Sequence, residues 1–145
     1  MEKLSRILVP VDGSPGSDKA VDMAVELSES CGSVLDILYV SYFDSDTDEV
    51  EDTDSWLPEI VSAPAGGRIR EVLERARKRI PEGIEVELHK RTGNPARRIV
   101  EFSKEHGDET IVVGGRGLDA LRGFLLGSVS QEVMESAPGA VIVVK

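Results

Sequence analysis

Basic residues are in short supply in this chain. Its 145 residues hold 17 lysines and arginines against 27 acids, a formal charge of −10. Such a chain has no broad positive field. Nucleic-acid binding driven by phosphate neutralisation is therefore excluded as a leading function. Cysteine is scarcer still: the single Cys31 cannot form an internal disulfide, and that low count fits a reducing compartment. Its place on an apolar helix face reads as core rather than as a nucleophile. The six aromatic residues include no pair placed to stack a flavin ring. Apolar runs are short, the longest being the five residues Ala140–Val144, so a membrane span of about 20 residues is not encoded. A strand pattern begins by Arg6 and leaves no room for a signal peptide, so the expected location is cytoplasmic.

What is present suits one domain over residues 1–145. Area scaling buries about two-thirds of the surface of a chain this size, enough for a core without staples. Much of the acidity is local. Asp44, Asp46, Asp48, Glu49, Glu51, Asp52 and Asp54 contain no base between them and read as a solvated, mobile loop over 41–62, too poor in spacing and glycine for an EF-hand. Trp56, Leu57, Ile60 and Val61 follow as anchors for that long connection.

Elsewhere strand and helix patterns alternate. Arg6–Val11 is a short apolar strand ending in Asp12-Gly13-Ser14-Pro15, in which Ser14 caps a helix and Pro15 takes its first position. Ala20, Met23, Ala24, Leu27 and Cys31 recur at helical spacing, and Gly32 ends that helix. Val34–Val40 is a second strand. A helix then carries Ile69, Val72, Leu73, Ala76 and Ile80 on one face, with Glu71/Arg75 and Glu74/Lys78 paired on its solvated side; Pro81 and Gly83 stop it. Ile84–Arg91 alternates as a strand with one face open to water. Asn94-Pro95 starts a helix capped at Gly107, Thr110–Val113 is a strand, Ser128 opens a helix stopped by Pro138, and Ala140–Val144 is the last strand. Five strands linked by helical crossovers favour a parallel α/β sheet covered on both faces.

The segment after the fourth strand carries the chemistry. Gly114-Gly115-Arg116-Gly117 is followed nine residues later by Gly127-Ser128 at a helix start. Glycines let successive N–H groups point at one spot, and a helix N-terminus adds donors and a favourable dipole, the makings of a phosphate site. A flexible loop before a capped helix is the plainer reading of the same residues. The Walker pattern is absent. Gly115-x-Gly117-x-x-Ala120 matches half of a dinucleotide fingerprint, but no acidic residue follows the next strand to complete it. No G-x-S-x-G elbow supports a serine hydrolase. His89 and His106 have no metal-ligand companions at recognisable spacing and read as structural, so no metal site is expected.

Gly114-x-x-Gly117-x₉-Gly127-Ser128 is the glycine pattern of the nucleotide-binding universal stress proteins, which this chain resembles along its whole length. Ile7–Ser14 (ILVPVDGS), Gly93-Asn94-Pro95 and Ser136–Val144 (SAPGAVIVV) also resemble family segments and lie in the same order. The resemblance implies an adenine nucleotide alpha hydrolase-like fold: a five-stranded parallel sheet in the order 3-2-1-4-5 with helices on both faces. It implies ATP, or AMP or ADP, at the carboxyl ends of strands 1 and 4, with Mg²⁺ held mostly by the phosphates. Pro10, Val11 and Asp12 would line the adenosine side, with Asp12 accepting hydrogen bonds from the nucleoside, and Val40 would pack near adenine. Gly114, Gly115, Arg116 and Gly117 would wrap the phosphates. Gly127, Ser128, Val129 and Ser130 would donate to them. Where Gly115 and Arg116 stand the family often has serine and histidine; the departure removes one hydroxyl contact to phosphate, which the charge of Arg116 would offset. The resemblance further implies a homodimer through Val141–Val144 and a sensor or regulator of the stress response with at most slow ATP hydrolysis. A nucleotide-independent interaction scaffold of the same fold is the alternative.

Overall fold

A computed structural model describes residues 4–41, 64–115 and 128–145. The acidic stretch, Trp56, Leu57, Ile60 and Val61, and Arg116, Gly117 and Gly127 lie outside the described residues. The elements are β1 (Arg6–Pro10), α1 (Pro15–Cys31), β2 (Val34–Ser41), α2 (Pro64–Lys78), β3 (Val86–Thr92), α3 (Pro95–His106), β4 (Thr110–Gly114), α4 (Ser128–Ser136) and β5 (Ala140–Val144). The strands form one sheet in the order β3-β2-β1-β4-β5, and every pairing is parallel. The expected fold class is the observed one.

Period-two alternation divides the core between the two faces of the sheet. Ile7, Val9, Leu35, Ile37 and Val112 pack with α1 and α2, whereas Leu8, Leu38, Ile111 and Val113 pack with α3 and α4. Near-continuous apolar strands are what a sheet buried on both faces requires.

Helix ends follow local chemistry. Ser14 Oγ accepts from the Ser17 N–H at 3.2 Å, and Gly32, at φ 71°, closes α1 with its N–H on the Ser28 carbonyl. Asn94 and Gly107 do the same for α3. Residues of α1 that touch the core include Val21, Val25 and Ser28 beside Ala20 and Ala24, so the buried stripe is rotated from the expected one. Cys31 accordingly ends α1 half-buried rather than in the core. The last turn of α2 departs from expectation too. Hydrogen bonds from Arg79 N to Ala76 O and from Ile80 N to Arg77 O tighten the chain there, so the helix closes at Lys78, ahead of Pro81. Arg75 turns away from an i,i+4 pair and makes a bidentate bridge to Asp18 of α1, while Arg79 holds Asp22 at 2.7 Å.

The polar face of β3 is the clearest correction. His89 and Arg91 are buried, not open to water. The Phe102 ring of α3 covers them: His89 meets it edge-on at 4.6 Å and the Arg91 guanidinium lies 5.0 Å above it. An aromatic face accepts imidazole and guanidinium groups, so alternation that looks half-solvated is half-stacked instead.

Candidate functional site

The carboxyl ends of β1 and β4 lie side by side, since Ile7 pairs with Thr110 and Leu8 with Ile111. From them the chain departs to opposite faces, α1 to one and α4 to the other. This is the switch-point crevice at which open α/β sheets hold ligands.

Each wall is built locally. Val11 N donates to Leu38 O at 2.9 Å, continuing β1 past its last strand residue, and Val11 is buried. Asp12 then accepts from the Ser14 N–H at 2.9 Å, an Asx-turn that sets the start of α1, with Gly13 at φ 83°. On the other wall Gly115 N donates to Val144 O at 2.8 Å, tying the glycine segment to β5. Ser130 Oγ donates to Gly114 O at 2.6 Å and so fastens α4 to β4; its hydroxyl hydrogen points at protein rather than into the crevice. Ser128, at the start of α4, is exposed, and Val129 packs against the α3/α4 core. Val40 packs on that same side, and Pro10 is half-buried between. The structure thus gathers Pro10, Val11, Asp12, Gly114, Gly115, Ser128, Val129 and Ser130 around the β1/β4 ends. Val40 stands one strand over.

The crevice brings the N-termini of α1 and α4 to one place, and the partial positive charge of each favours an anion. Sequence reasoning missed Gly16. A Cβ on Gly114 would lie 2.6 Å from the Gly16 backbone carbonyl, so the first turn of α1 rests directly on the end of β4. Gly114 is therefore a packing glycine, whatever else it does.

At the amino end of the sheet lies a second polar constellation. Arg6 forms a bidentate pair with Asp36, at 2.9 and 2.7 Å, and reaches Glu87. His89 Nε2 lies 2.8 Å from Asp36 Oδ1. Burial would raise Asp36, but hydrogen bonds from His89, Arg6 and Asp108 outweigh it and hold the carboxyl well below its ordinary range. Asp108, in the turn between α3 and β4, shows the reverse: burial, then the neighbouring Asp36, pushes it up to about 9.

The description "Universal stress protein family" fits residues 3–145. The chain belongs to that family. Over 152 aligned residues it is 35% identical to universal stress protein YxiE of Bacillus subtilis, covering 97% of this chain and 99% of the relative. Among solved structures, universal stress protein UspA from Lactobacillus plantarum superposes with a TM-score of 0.73 at 23% identity, the whole of each chain being covered. A universal stress protein solved in complex with cAMP superposes at 0.67, with 26% identity over 99% of this chain and 98% of the other. In this universal stress protein β1 is the central strand of the sheet and β4 its neighbour. None of its described helices is long and apolar enough to cross a membrane.

Proposed function

We propose that this universal stress protein binds an adenine nucleotide, ATP with Mg²⁺ held by its phosphates, over the ends of β1 and β4, and acts as a nucleotide-dependent regulator of a cytoplasmic stress response. The observation that carries this reading is the convergence of two helix N-termini on a strand that ends in Gly114-Gly115. The relative complexed with cAMP supports an adenine nucleotide as the ligand class. On this reading Pro10, Val11, Asp12 and Val40 take the nucleoside side. Gly114 to Gly117, Gly127, Ser128 and the first N–H groups of α4 take the phosphates, with Arg116 adding charge. Ser130 contributes its backbone N–H, since its hydroxyl is on Gly114 O. Asp12, held by the Ser14 N–H, faces the ribose rather than activating water, so hydrolysis is at most slow.

Thermal melting tests the site. With 1 mM Mg²⁺-ATP and a Kd of about 10 μM, saturation adds about 2.7 kcal/mol. For a chain of this length that raises Tm by about 8 °C. Gly127→Val should remove the shift while leaving the nucleotide-free melt in place. Gly127 is the better probe than Gly114, whose replacement disturbs α1 packing. No shift in the wild-type protein overturns the reading and favours the scaffold alternative.

The homodimer belongs to the same proposal. β5 stands at the sheet edge with Val141–Val144 half-buried, an apolar edge open to antiparallel pairing with a second copy. Light scattering at micromolar concentration should give about twice 15.7 kDa; a mass near the single-chain value overturns it.

A further inference from the structure

Asp36, Glu87 and His89 stand on adjacent strands. Asp36 pairs in register with Glu87, and Glu87 and His89 share a face of β3 by the period of two. The sheet therefore fixes their spacing before any side chain moves. One donor atom from each lies within 4.8 Å of the other two. His89 Nε2 is 2.8 Å from Asp36 Oδ1 and 3.8 Å from Glu87 Oε2. A tetrahedral ion with metal–ligand bonds of about 2.0–2.1 Å separates its donors by about 3.3 Å, between those two values.

Two further features set this group apart from an ordinary ion-pair cluster. Asp108 is 5% exposed, and apart from the Asp36 carboxylate that it faces, neither of its carboxyl oxygens has a hydrogen-bond partner among the described residues. A carboxyl buried against a second carboxyl calls for an explanation, and a cation between them supplies one. The second feature is Arg6, whose Nη2 bridges Asp36 and Glu87 where a metal would sit. Its side chain is 26% exposed, and that of Glu87 47%. The guanidinium can thus swing outward, and the same opening admits an ion.

We propose that Asp36, Glu87 and His89, backed by Asp108, form a divalent-cation site in which the Arg6 guanidinium and the metal exclude one another. One imidazole with carboxylates selects a borderline ion such as Zn²⁺ over Ca²⁺ or Mg²⁺, which favour oxygen ligands alone. The site lies at the end of the sheet opposite the nucleotide crevice and stands independently of that assignment.

Zn²⁺ titration of the full chain at pH 7.5, followed by calorimetry and by the imidazole NMR signals, tests it. Because the chain has two histidines, His89 and His106 are separable, and zinc held on the acidic stretch leaves the His89 signal unmoved. Zinc should shift the His89 signal, Arg6→Gln should tighten binding at least tenfold, and Glu87→Gln should weaken it at least tenfold. Glu87 is exposed enough that its variant keeps the fold. If Arg6→Gln lacks a native melt, the His89 shift and the Glu87→Gln comparison decide the matter. No binding, binding with an unmoved His89 signal, or binding indifferent to Glu87→Gln overturns the site.

Discussion

Gly114→Ala should lower the melting temperature by roughly 10 °C, and Gly114→Val should leave little folded protein. A single methyl group causes this because of where it would go. The added Cβ would lie 2.6 Å from the Gly16 carbonyl carbon and oxygen and 3.1 Å from Ser17 N. All three are backbone atoms, so no rotamer change relieves the contact. Neither side can retreat: the β4 end is held by β5 through Gly114–Val144 pairing and by the Ser130 hydroxyl, and the α1 start by the Ser14 cap. Overpacking a well-filled site costs about 1–3 kcal/mol when side chains can adjust, and a backbone collision belongs at or above the top of that range. Against a total of about 5–15 kcal/mol this is a large fraction. Gly107→Ala separates space from backbone angle. Gly107 has φ 68° but open room for a Cβ, so its replacement should cost about 1 kcal/mol. A Gly114→Ala protein that melts within 2 °C of wild type would overturn the packing role.

That role also marks the limit of what the sequence made legible. Patterns local to one element were readable: Ser14, Asn94, Gly32 and Gly107 announced helix ends that the structure reproduces, and strand boundaries shifted by one or two residues. The order of strands came from the family resemblance, because no local pattern encodes which strands are neighbours. Gly114 was legible as a glycine that matters but not for its packing, since its partner Gly16 is 98 positions away and sits in a different element. The amino-end constellation was least legible of all. Asp36 sat in an apolar strand run, Glu87 and His89 in an alternating one, and Asp108 beside a helix end. Each had an ordinary local explanation, and only β2–β3 register and the fold of the α3–β4 turn bring them together. The same blindness produced the misreading of β3 as half-solvated, because the ring that covers it comes from α3.

Asp108→Asn should make the metal-free protein more stable, by about 4 kcal/mol at pH 7, or about 12 °C in Tm. The native carboxyl is buried against the Asp36 carboxylate, and neither of its oxygens has another hydrogen-bond partner among the described residues. It therefore keeps its proton up to about pH 9, whereas in the unfolded chain it ionises near pH 4. Between those values the native state binds a proton that the unfolded state has released, so the stability contributed by Asp108 falls as pH rises through that window and reaches its lowest level above pH 9. Asparagine keeps a donor toward Asp36 and removes the titration. The gap between variant and wild type should thus nearly vanish at pH 4.5, open by pH 7 and be widest near pH 9. Melts in the presence of a chelator at those three pH values measure it, and comparing variant with wild type at each pH cancels every other titrating group. A variant less stable than wild type at pH 7, or a gap that does not change with pH, would show that Asp108 is ionised and well partnered in the native fold. A stabilised variant, in contrast, identifies Asp108 as a group that the native fold carries at a cost.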